Sequence, residues 1–100
     1  MKYGFLSAIA LLFACLVYAQ DMDPLLAEAA KLEKDLKESE ALDAYRSVLK
    51  IQPGNSTALC RAAELTGRIG SRMKDNKQQA GYFTTAKAYA EAALKLKENY

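Results

Sequence analysis

Apolar residues recur at three- and four-residue steps along most of the chain, a period that predicts helices rather than strands. The clearest case is Ser39–Asn55, SEALDAYRSVLKIQPGN. Ala41, Leu42, Tyr45, Val48 and Leu49 form an apolar stripe that Gln52 continues. Glu38, Asp43, Arg46, Ser47 and Lys50 fall on the other side. Ser39 and Glu40 suit the free amides at the helix start. Pro53 cannot continue the hydrogen-bond ladder, and Gly54 and Asn55 tolerate positive φ. The chain is expected to turn there, with Asn55 or Ser56 capping the next helix.

The same period marks three further helices. Pro24–Leu36 carries Leu25, Ala29, Leu32 and Leu36 on one stripe with Leu26 beside it; Asp23 is placed to cap and Pro24 to open the first turn. Ser56–Ile69 clusters Ala58, Leu59, Ala62, Ala63, Thr66 and Ile69, with Arg61, Glu64, Leu65, Arg68 and Arg72 on another side. Gly67 inside this helix costs about 1 kcal/mol relative to alanine, and marks either a tight contact or early fraying. Ser71–Lys77 has no apolar period and reads as a connection. From about Gln78 to Lys97, Tyr82, Ala86, Tyr89, Ala93 and Leu96 step by four and three, widened by Phe83, Ala90 and Leu94. No segment alternates like a strand. The expected fold is all-α, two antiparallel helical hairpins.

The first 19 residues have a different character. Lys2 is followed by the apolar run Gly4–Val17, and Val17-Tyr18-Ala19 supplies small residues before a cut at Gln20. This pattern is that of an N-terminal signal peptide, and it predicts export to the periplasm or cell envelope. Two alternatives stay open. Leu12-Phe13-Ala14-Cys15 loosely follows a lipobox, although Phe13 is bulky for one. Uncharged residues also run from Tyr3 to Gln20, near the lower length limit for an uncleaved membrane anchor.

Cleavage after residue 19 would leave 81 of the 100 residues, with 13 basic and 12 acidic side chains, since one of the 14 basic residues is Lys2. Charges of both signs interleave with no basic block, which argues against a nucleic-acid partner. Cys60 would be the one remaining cysteine, so an internal disulfide is excluded. Cys60 is read either as a small packed residue or as a thiol for intermolecular pairing or reaction. The chain has no histidine, which removes a His/Cys metal site and a Cys-His nucleophile. Glu33, Asp35, Glu38 and Glu40 have lysine neighbours on a helix surface, unlike an acid/base pair. Neither an enzyme nor a cofactor is expected.

The order of residues resembles the tetratricopeptide (TPR) repeat. In residues 20–55 the small Ala29 is followed by Glu40-Ala41-Leu42, Ala44-Tyr45, Val48-Leu49-Lys50-Ile51 and Pro53. In residues 56–100, Leu59, Ala62-Ala63 and Gly70 match the first helix and turn, and Ala86, Ala90 and Ala93-Leu94-Lys95-Leu96 the second. Leu36 stands where the family has a turn glycine, Ala90 where it has an aromatic, and Glu98 where it has the closing proline. Ser71–Gly81 is an insertion of about eleven residues. The resemblance implies a short TPR-like α-solenoid.

A TPR groove is lined by the first helix of each pair. The resemblance therefore implies Leu26, Ala30, Glu33, Thr57, Cys60, Glu64 and Arg68 as the partner-binding groove, for a protein or peptide. The carboxylate-clamp subclass does not fit, because Ala27 and Ala30, then Arg61 and Glu64, occupy its asparagine positions. Glu64 sits three residues from Arg61 and four from Arg68, so it is expected to pair with both. Tyr82, Phe83 and Tyr89 are expected in the core. The resulting expectation is an exported interaction scaffold of the bacterial cell envelope. The alternative is a structural subunit of a longer helical array or a self-associating homo-oligomer, because two repeats bury a small core.

Overall fold

A computed structural model describes residues 24–98 of the chain. The signal-peptide, lipobox and anchor readings of residues 1–20 lie outside the described residues, as do Asp23, Asn99 and Tyr100. The described chain is all-helical, with four helices and no strand. They are α1, described over residues 24–34, α2 (Glu38–Ile51), α3 (Ser56–Ser71) and α4 (Asn76–Glu98). Among the described residues, no helix is long and apolar enough to cross a membrane.

The turn between α1 and α2 is closed by Leu36, at φ 62°, the one positive φ among the described residues. Its N–H donates to Glu33 O (3.1 Å), and Lys37 N–H donates to Leu32 O (2.9 Å). This is the Schellman pattern, which satisfies the last carbonyls of α1 at the cost of a left-handed residue. Helix α1 therefore ends before Leu36, which is 82% exposed. The apolar face of α1 is Leu26, Ala29 and Leu32, rather than the expected stripe through Leu25 and Leu36.

The α2–α3 turn follows Pro53 as expected, but without positive φ at Gly54 or Asn55. Asn55 N–H donates to Gln52 O (3.0 Å), a turn that the fixed φ of proline supports. Asn55 then caps α3, its Oδ1 accepting from Ala58 N–H at 3.0 Å. Residues 71–81, read as an insertion, are the end of α3, a connection at 72–75 and the opening of α4. Asp75 Oδ1 accepts from Lys77 N–H at 3.1 Å, and Gln79 Nε2 reaches back to Gly70 O at 3.2 Å.

Helix α3 is central. Its end meets the start of both neighbours, through Arg72 and Glu38 and through Gly70 and Tyr82. Its start lies beside the end of α4, where Ser56 and Cys60 share a groove with Leu96 and Lys97. It thus runs antiparallel to α2 and to α4. Being covered on several sides, α3 buries Leu65 completely, against the expectation that Leu65 faces away with the arginines. Leu65 joins Ala29, Ala41, Leu42, Tyr45, Val48, Ala58, Ala62 and Ile69 in one core. Wholly buried residues such as Val48 and Leu65 contribute about 1.5–3 kcal/mol each.

Helix α4 covers this core with half-buried Tyr82, Ala86, Tyr89, Ala93 and Leu96, the stripe its spacing predicts. Phe83, Ala90 and Leu94, expected to widen that stripe, are exposed, which also corrects the assignment of Phe83 to the core. One face of α4 meets α3, and nothing among the described residues covers the next.

Candidate functional site

The most organised polar group joins three helices around Glu33. Near the end of α1, Glu33 turns toward α3 and keeps only 15% of its side chain exposed. Tyr45, on the buried stripe of α2, donates its hydroxyl to Glu33 Oε2 at 3.1 Å. The other oxygen, Oε1, lies 3.5 Å from Arg61 Nη1 and 3.8 Å from Arg68 Nη1. Glu64, between the two arginines on α3, is 3.1 Å from Arg61 and 3.9 Å from Arg68. The expected pairing of Glu64 with both is present.

Burial first, then the hydrogen bond to Glu33 and its charge, push the Tyr45 phenol up to about 12. The charges of Glu33 and Glu64 hold Arg61 above the usual guanidinium value. Both arginines remain about half exposed, so part of each guanidinium fork faces water. At the far end of α3, Arg72 pairs with Glu38, and that hydrogen bond holds the Glu38 carboxyl below the usual carboxylate range.

Two adjoining depressions run along this face. Ala30, Glu33, Lys34, Tyr45, Arg61 and Arg68 line one of about 330 Å³. Ser56, Thr57, Cys60, Arg61 and Glu64 line the next, of about 370 Å³. Of the expected groove residues, the structure brings Ala30, Glu33 and Arg68 to the first depression and Thr57, Cys60 and Glu64 to the second. Leu26 lines neither; it packs against the core. Cys60 is an exposed free thiol, so its reading as a packed small residue is corrected. Arg61 is common to both depressions. Its pairing with Glu64 was visible in the spacing, whereas the contacts of Tyr45 and both arginines with Glu33 join separate helices and leave no local pattern. Among the described residues, no group of three or more His, Cys, Asp or Glu side chains is gathered as a metal would need.

These features define an all-helical protein with an ion-paired cleft open along one face of its central helix. The family model for Regulator of microtubule dynamics protein 1-3 matches residues 25–100, and the chain belongs to that family. This corrects the TPR assignment, since the match is to this family and not to a TPR family. Small residues on packed helices and a proline at a turn suit helical hairpins of many kinds, so Ala29, Ala44 and Pro53 do not distinguish one such family from another. No curated protein matches the chain, and no solved structure does.

Proposed function

We propose that the chain is a non-enzymatic protein-interaction scaffold that holds a protein or peptide partner along the face running from α1 across α3. The observation that carries this reading is the pair of half-exposed arginines, Arg61 and Arg68, held side by side by the half-buried Glu33. A guanidinium already fixed in place loses less freedom on binding than a free one. We further infer that the α1–α2 and α3–α4 hairpins stack as a short helical solenoid. Contacts from α1 to α3 (Glu33 to Arg61) and from α2 to α4 (Arg46 Nε donating to Tyr89 Oη, 3.3 Å) support that arrangement.

The family description points to microtubules as the setting for such a partner, whereas the leader-like residues 1–19 point to export into a cell envelope. The two settings are opposed. A tag at the C-terminus, followed with and without residues 1–19, decides between them: a shorter, exported mature chain supports the leader, and an uncleaved chain retained with the cytoskeleton supports the other setting. Binding is tested with the full 100-residue chain on polymerised microtubules and on immobilised envelope extract. Capture that is lost on Arg61→Glu with Arg68→Glu supports the scaffold. Capture unchanged by both substitutions, or none by the wild type, sinks it.

A second reading, a self-associating structural subunit, is favoured by the uncovered side of α4. Leu94 is 59% exposed beside a groove of about 470 Å³ that Cys60, Ala63, Ala90 and Ala93 help to line. A monomeric mass in solution at all concentrations tested removes that reading.

A further inference from the structure

Helix α4 carries a second stripe beside the one that covers the core. Ala80, Phe83, Lys87, Ala90, Leu94 and Lys97 each follow directly on a half-buried residue, and all six are exposed. One residue turns a helix by about 100°, so the six form a continuous row at steps of three and four. Phe83 and Leu94 are its large apolar members, at 45% and 59% exposure. Nothing among the described residues covers the row.

The row has a floor on α3. Phe83 Cε1 lies 3.4 Å from where a Cβ on Gly70 would stand. Further along, Ala90, Leu94 and Lys97 share a groove of about 470 Å³ with Cys60, Ala63 and Glu64. Small side chains at Cys60, Ala63 and Ala90 let another backbone approach, and alternating steps of three and four are the spacing of a helix–helix seam. The shape therefore suits a helix.

The order of charges along the row indicates which helix. Run antiparallel against a copy of itself, the row sets Phe83 opposite Leu94, Lys87 opposite Ala90 and Ala80 opposite Lys97. No lysine then faces a lysine. Lys87, whose contact with Glu91 of its own helix is a loose 3.9 Å between exposed groups, also comes beside Glu91 of the second copy. A parallel pair in register would instead oppose Lys87 to Lys87 and Lys97 to Lys97, which disfavours it. The row is thus complementary to itself in one direction only, as a two-fold interface requires.

Resting on the self-associating reading above, we propose that two copies of this chain pair through α4, antiparallel, with Phe83 of each against Leu94 of the other. Lys87 and Glu91 pair across the seam on both sides of the two-fold axis.

The test uses the full chain. Sedimentation equilibrium should show a reversible dimer across the micromolar range, as an interface below standard size gives. Lys87→Glu and Glu91→Lys should each weaken it by about tenfold, and the two together should restore it. All three variants should keep the wild-type helix content by circular dichroism, since both positions lie in solvent in the single chain. Direction is read by disulfide trapping in a Cys15→Ser, Cys60→Ser background. Chains with Ala80→Cys mixed with chains carrying Lys97→Cys should form a mixed disulfide. Neither should link to itself, because the two copies of either position lie about 26 Å apart along the seam. A monomer at every concentration overturns self-association and this pairing together. A dimer that gives no mixed disulfide, that links position 80 or 97 to itself, or that is unchanged by both single reversals overturns the pairing and leaves self-association standing.

Discussion

Gly70 on α3 and Tyr82 on α4 approach so closely that a Cβ on Gly70 would meet Tyr82 Cβ at 2.6 Å. The obstacle is the root of a side chain, which a rotamer change cannot move. Gly70→Ala gains about 1 kcal/mol of helix propensity, yet it must push α4 off α3 where the two helices meet. Overpacking of this kind costs about 1–3 kcal/mol. Gly70→Ala is therefore expected to lower the melting temperature, read by far-UV circular dichroism. An unchanged or higher value would mean that the helices stand further apart in solution.

Gly67, one turn earlier on the same helix, is the control for that experiment. A Cβ there meets nothing within 4 Å, so it marks neither a close contact nor the helix end, which comes at Ser71. Gly67→Ala should stabilise the protein by about 0.5–1 kcal/mol through helix propensity alone. Urea titration of the two variants side by side should move the midpoints in opposite directions. A loss of stability in both would refute the open space beside Gly67.

Leu36 sits in the left-handed region at φ 62° with its side chain almost wholly in solvent. That conformation costs an L-residue about 1–2 kcal/mol, and little apolar burial offsets it. Leu36→Gly removes the cost but enlarges the freedom of the unfolded chain, so a net gain of about 0.5–1 kcal/mol is expected. Leu36→Val, β-branched, should destabilise instead. Chemical denaturation of both variants checks the order; a glycine variant less stable than the valine one would contradict the turn geometry.

These residues also mark how far the sequence could be read. The helices and their junctions were legible because Pro53, Asn55 and the three-four spacing act locally. Residues that depend on neighbours distant in the chain were not. Leu65 is an exception: it lies three residues after Ala62 and four before Ile69, so its burial was legible in the spacing although it was placed with the arginines. Phe83 and Leu94 continue an apolar stripe, yet they are exposed while Tyr82, Ala93 and Leu96 beside them are half-buried, because only one face of α4 meets α3. Glu33 reads as one of several surface carboxylates, and only the folding of three helices brings Tyr45, Arg61 and Arg68 to it. The Glu64 pairings were visible because they lie within one helix. Family membership was the least legible feature, since the small residues and the turn proline that suggested TPR repeats suit helical hairpins of many kinds.

The Tyr45–Glu33 hydrogen bond leads to a pH dependence with a definite sign. The Tyr45 phenol is raised from 10.0 to about 12 in the folded chain, so the unfolded chain loses this proton first. The associated stability is whole below pH 10, declines as the unfolded phenol ionises, and is gone once the pH has risen through about 12. One of the six tyrosines should then ionise late, visible as a delayed step in tyrosinate absorbance, while resistance to urea falls over the same interval. Tyr45→Phe should remove the delayed step and flatten that part of the stability profile. At neutral pH it should cost about 1–2 kcal/mol, toward the lower end for a hydrogen bond to a charged acceptor, because Glu33 keeps both arginines. If no delayed tyrosinate step appears, Tyr45 is not held against Glu33 in solution, and the three-helix arrangement of the cleft fails with it.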